Sequence, residues 1–182
     1  MKRIILGQLF LIICCIFYLI WWYRGYRPGV NAQKVSGLNG ALLLITAAFG
    51  LSGAFLSVQP VVMLSEPKMN PAMIIIAGII AYIALLLITK LIFHRVVTAE
   101  LLLITAWTTL ELSVINTLNA AGGLSDTRFC IMIAVILAAF IISMILYVAY
   151  YRMEEMKAFY AAMVPLVTEA AAMTILIGMV GL

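Results

Sequence analysis

Glu111 and Glu169 are the side chains of this sequence best placed to do chemistry, because each sits inside a long apolar run. An ionisable group at membrane depth costs roughly 2.5–3.5 kcal/mol on insertion scales, so its presence there is a functional hypothesis in itself. Counted from the starts of their runs, the two carboxylates differ by three residues, about 4 Å of height at 1.5 Å per residue. Both runs start on the same side in an alternating topology, so the pair is expected to face one another near mid-membrane. Two adjoining carboxylates in a low dielectric do not both ionise; one holds a proton, or the two share a cation. Glu100, at the start of its run, reads as interfacial.

The surroundings of the pair are polar for an apolar run. Thr108 lies three residues before Glu111, and Ser113 three before Asn116, so each pair shares a helix face. Thr108 and Asn116 are candidate ligands to the same ion or substrate, although Thr in a helix also back-bonds to its own chain. Pro165 precedes Glu169 by four residues and cannot donate to the Ala161 carbonyl, which predicts a helix kink. Broken helices around a mid-membrane site characterise secondary transporters.

Other chemistries lack their parts. His94 is the single histidine, grouped with Lys90 and Arg95 at the end of a run, and reads as a solvated end group. A haem held by two histidines of one chain is excluded. Cys14, Cys15 and Cys130 show neither a C-x-x-C nor zinc spacing, so packing is their expected role, and no metal or cofactor is implied. Glu154–Glu155 is similar to the paired Glu of intramembrane CAAX-type proteases, but the Arg and the further histidines of that family are missing. GGLSD at 122–126 is not a GxGD motif, and there is no Ser/His pairing or nucleotide-binding glycine pattern. No enzyme is expected.

The elements that must position the carboxylates follow from composition. Of the 182 residues, 66% are hydrophobic and 10% charged, with a mean hydropathy of +1.22. Soluble domains carry about 25% charged residues, so a soluble globular enzyme, a nucleic-acid-binding domain and a disordered chain are excluded. A transmembrane helix needs about 20 apolar residues, and six such runs occur, at 4–23, 39–59, 72–93, 97–118, 129–151 and 158–181. The expected fold is an all-α polytopic bundle of six transmembrane helices with short loops, forming a single integral membrane domain over 1–182. Runs this long argue against a β-barrel. Lys2 and Arg3 precede the first run in the manner of a signal peptide, but no small-residue cleavage pattern follows it, and the run reads as a retained helix.

Helix ends are marked by residue type. Tyr18, Trp21, Trp22, Tyr23 and Tyr26 form an interfacial cluster at the end of the first run. Gln59–Pro60 is expected to end the second helix, and Ser125 or Asp126 to cap the fifth. The net charge of +4 reflects Lys and Arg at helix ends near lipid headgroups, with no nucleic-acid partner implied. Seven of the basic residues fall on the side of the 1–2, 3–4 and 5–6 connections and four on the other. The charge rule then places both termini outside, in the cytoplasmic membrane of a prokaryote. LLLITA occurs at 42–47 and again at 101–106, with LLLIT at 85–89, which raises the idea of duplicated hairpins in a pseudo-threefold arrangement.

The functional expectation is a small transporter or transporter subunit. Glu111 and Glu169, between the fourth and sixth spans, bind a proton, a cation or a cationic small molecule, with Thr108 and Asn116 assisting. The alternative is a non-catalytic subunit that forms a homo-oligomer or joins a larger membrane complex through the small-residue faces of the second, third and fifth spans, such as Ala48/Ser52 and Gly50/Ala54.

Overall fold

The computed structural model describes residues 2–29, 37–63, 70–93 and 99–181. Seven helices occur among them: α1 (Lys2–Tyr26), α2 (Gly37–Met63), α3 (Pro71–Phe93), α4 (Ala99–Ala120), α5 (Asp126–Ala149), α6 (Glu155–Ala161) and α7 (Val164–Gly181), with a 3-10 turn at Tyr150–Arg152. No strand occurs among the described residues. Six stretches are long and apolar enough to cross a membrane, α6 and α7 together counting as one. His94, Arg95, Lys34 and Lys68 lie outside the described residues.

Two boundaries depart from expectation. α2 continues past Pro60 to Met63, because a proline three residues from a helix end deprives only one carbonyl, that of Leu56, of its donor. The sixth run, expected as one kinked helix, is broken. The chain turns at Ala162 and Met163, and Pro165 becomes the second residue of α7, where no intrahelical N–H is required. α7 alone measures about 27 Å at 1.5 Å per residue. The break therefore lies near one end of the span and not at mid-height. α6 sits against the aromatic end of α1: Phe159 stacks on Trp22 with centroids 6.3 Å apart, and Trp22 Nε1 donates to the Phe159 carbonyl at 3.4 Å.

α1 packs on α2 and α7, α2 on α4, α4 on α5, and α5 on α7. These contacts close a ring of five helices, with α3 outside it against α4. The start of α1 is tied to the end of α2 by Arg3 Nη1 donating to Gln59 Oε1 at 2.8 Å. The start of α5 is tied to the end of α7 by Arg128 Nη1 donating to the Met179 carbonyl at 2.6 Å. Between α4 and α5, Gly122 takes φ +73°, a left-handed conformation that closes the helix. Ser125 then caps α5, its hydroxyl accepting from the Arg128 N–H.

The interior has two apolar centres. One joins Ile4, Val61, Ile115, Leu118, Met132, Ile136 and Leu176 from all five ring helices. The other, at the opposite end, packs Leu101, Ile104 and Tyr147 with Tyr82 and Leu85 of α3. The outer faces are apolar too: Leu51 is 75% and Ile80 61% exposed.

Several glycines form seams within the chain. A Cβ on Gly7 would stand 2.9 Å from the Gly53 carbonyl oxygen, and one on Gly53 would stand 2.9 Å from that of Gly7, so α1 and α2 cross backbone to backbone. Gly50 faces Cys14, and Gly78 of α3 faces Thr109 of α4. Gly50, Gly53 and Gly78 are thus covered by neighbouring helices of the same chain, whereas Ala48 and Ser52, also expected at a subunit interface, are exposed. The repeated LLLITA segments have like surroundings: Leu42 and Thr46, and Leu101 and Thr105, are all buried. The three hairpins do not occupy equivalent places, however, since α1 belongs to the ring and α3 does not.

Candidate functional site

Glu111 projects from α4 between the two apolar centres and is 1% exposed. Its carboxylate Oε1 accepts a 2.9 Å hydrogen bond from Nε2 of Gln8 on α1, itself 1% exposed. Glu169, in the second turn of α7, is also buried and lies within electrostatic reach of Glu111. Cys15, seven residues beyond Gln8 on the same buried face of α1, is within reach of both carboxylates. Among the described residues, neither Glu111 nor Glu169 has an ion-pair partner; the Lys157–Glu154 pair, at 2.9 Å, lies on the exposed surface.

The expected site lay at a seam between the fourth and sixth spans. The structure adds α1 as a third wall. α7 packs on α1 and α5, Glu169 is among its buried residues, and Gln8 of α1 is the side chain that bonds Glu111. Gln8 was not among the expected site residues. Its signal was present nonetheless, as the one amide in the first apolar run.

The remaining expected residues divide. Thr108 is buried, but its hydroxyl proton goes to the Ile104 carbonyl at 2.9 Å. Thr105, Thr109, Ser113 and Thr117 do the same four residues back. The hydroxyl-rich character of α4 is therefore mostly internal to the helix. Asn116 is buried, five residues beyond Glu111. At 100° per residue that separation points the two side chains in well-separated directions. Pro165 marks the break before α7 and sits one turn from Glu169.

Two buried oxygens near the cluster have no hydrogen-bond partner among the described residues: Gln8 Oε1 and Ser57 Oγ. Ser57 lies against Gly7, the neighbour of Gln8. A buried polar atom left unpaired costs about 1–3 kcal/mol, and native structures hold few of them. Among the described residues, no three His, Cys, Asp or Glu side chains converge as a metal site. What the arrangement offers is a buried carboxyl group beside an amide donor and a second buried carboxyl group on α7, each able to hold a proton. Comparison with protein-family models, with characterised proteins and with solved structures returns no match for this chain.

Proposed function

We propose that the chain is an integral membrane protein, a small transporter or transporter subunit whose acidic site takes a proton, a monovalent cation or a cationic small molecule. The observation that carries this reading is the burial of Glu111 and Glu169 inside a closed helix ring with no cationic partner among the described residues. A carboxylate so placed is stable only when neutralised or hydrogen-bonded, and here the neutralising group has to come from outside the described side chains. Gln8 supplies the hydrogen bond. The apolar centre at one end and the aromatic cluster of α1 and α6 at the other close the site from both sides. That arrangement corresponds to an occluded state of a carrier. The surplus of Lys and Arg at the end holding Arg24, Arg27, Lys90, Arg152 and Lys157 keeps that end cytoplasmic and both termini outside in this reading.

The test is charge displacement on a supported membrane carrying the purified protein, after jumps of pH, Na⁺ and tetramethylammonium. The wild type is expected to respond to at least one of the three. Glu111→Gln, which keeps the size and the hydrogen-bonding capacity of the side chain, is expected to reduce that response to background while eluting as wild type in detergent. A silent wild type, or a Glu111→Gln protein that still responds, overturns the reading.

A further inference from the structure

The Gln8–Glu111 contact is unequal in its two halves. Nε2 of Gln8 donates to Glu111 at 2.9 Å, while Gln8 Oε1 on the same buried amide has no partner among the described residues. An ionised carboxylate only accepts hydrogen bonds, so it can never satisfy that oxygen; a neutral carboxyl group both donates and accepts. Adding one proton to Glu111 therefore supplies the donor that the amide oxygen lacks, and a small side-chain rotation brings the two groups into a reciprocal pair. We infer that Gln8 is the positioning residue of a proton-operated latch between α1 and α4. With Glu111 neutral, the carboxyl and amide groups are joined by two reciprocal hydrogen bonds; with Glu111 ionised, only the bond from Nε2 remains. This deepens the proposed function by naming the proton as the ion, and it rests on that reading of Glu111 as the group that exchanges it.

The place of the latch in the fold gives it leverage. Gln8 follows Gly7, where α1 and α2 meet backbone to backbone, so a change at Gln8 is transmitted to the α1–α2 hairpin as a unit. Among the described residues, the titratable groups that feel the charge of Glu111 are Glu169 of α7 and Cys15 of α1. The buried face of α2 carries none, and that of α5 carries Tyr147, which belongs to the apolar centre at the far end. α3 contributes Tyr82 to that same centre. A proton arriving at Glu111 thus competes with Glu169 and with no fixed cation among the described residues.

Infrared difference spectra between acidic and alkaline pH, recorded on the protein in lipid vesicles, read the latch directly. A protonated-carboxyl band is expected in the wild type and its loss in Glu111→Gln, which assigns it. In Gln8→Met that band is expected to move to higher frequency, because the carboxyl loses its amide partner. Gln8→Asn, which keeps the amide but shortens its reach, is expected to give a smaller shift and serves if Gln8→Met does not fold. A Glu111 band at unchanged frequency in the folded Gln8 variants overturns the latch and leaves the site intact. Absence of any Glu111 band in the wild type overturns the latch together with the proton as the ion, while loss of the charge displacement overturns the site itself.

Discussion

α3 and α4 are consecutive, of nearly equal length and packed on one another, yet they meet opposite environments. The structure buries 61% of the most apolar stretch of α4 and 11% of that of α3. α4 carries Glu111, Asn116 and a ladder of hydroxyls and lies in the ring. α3 is aliphatic almost throughout, and its isoleucines 75, 76, 79, 80 and 83 are exposed. In water the more apolar helix would be the buried one. Here the order is reversed, as expected when the surrounding solvent is hydrocarbon and polar groups are the ones that must find partners inside the protein.

The largest test of this contrast is a pair of identical truncations. Ile115→Ala, at a position with 0% exposure where helices from the whole ring meet, is expected to cost about 2–5 kcal/mol, the range for opening a cavity in a packed core. Ile79→Ala on α3, 53% exposed, is expected to stay within about 0.5 kcal/mol. Reversible unfolding in mixed micelles measures both. Equal losses at the two positions would mean that α3 is covered by something outside this chain.

The two glycine seams sharpen the same comparison at smaller amplitude. At the α1–α2 crossing a Cβ on Gly7 meets the Ser57 hydroxyl and also backbone, the Gly53 carbonyl and the Ser57 N–H, which cannot move without separating the helices. At the α3–α4 crossing a Cβ on Gly78 meets the side chain of Thr109. Overpacking costs about 1–3 kcal/mol, so Gly7→Ala is expected near the upper end and Gly78→Ala near the lower. Thr109→Ala should rescue Gly78→Ala in the double variant, whereas Ser57→Ala should rescue Gly7→Ala only in part, because the backbone contacts remain. Rescue at neither seam would show that α3 and α4 are held by backbone contact as rigidly as α1 and α2.

Much of this architecture is legible in the sequence because its signals are long and of one kind. Six apolar runs fix six spans to within a few residues, and the glycine turn with Ser125 fixes the join of α4 to α5. Other features depend on where helices fall around the ring, which no run length encodes. Glu111 and Glu169 could be ranked by depth but not by partner, so the contribution of α1 was missed. Gln8 looks incidental until the α1–α2 crossing at Gly7 turns it toward α4. Likewise Gly50, Gly53 and Gly78 signal close helix approach whether the neighbour is the same chain or another. Pro165 announces a disruption, and the length of α7 together with the packing of Phe159 on Trp22 shows that it falls near the end of the span.

The smallest expected effect separates the carboxylates from the hydroxyl ladder around them. Thr108 shares a face with Glu111, which suggests a common ligand, but its hydroxyl already donates to the Ile104 carbonyl. That carbonyl also receives the backbone N–H of the same residue in the helical pattern, so removing the hydroxyl leaves no buried acceptor unpaired. Val replaces Thr with nearly the same shape. Thr108→Val is therefore expected to change stability by about 0.6 kcal/mol or less, the average for polar contacts between membrane helices, and to retain the charge displacement that Glu111→Gln loses. If Thr108→Val abolishes the response while the protein stays folded, its hydroxyl must turn from Ile104 to the transported ion during the cycle. The polar face of α4 would then act as one ligand set, and the contrast with α3 would be one of chemistry as well as of burial.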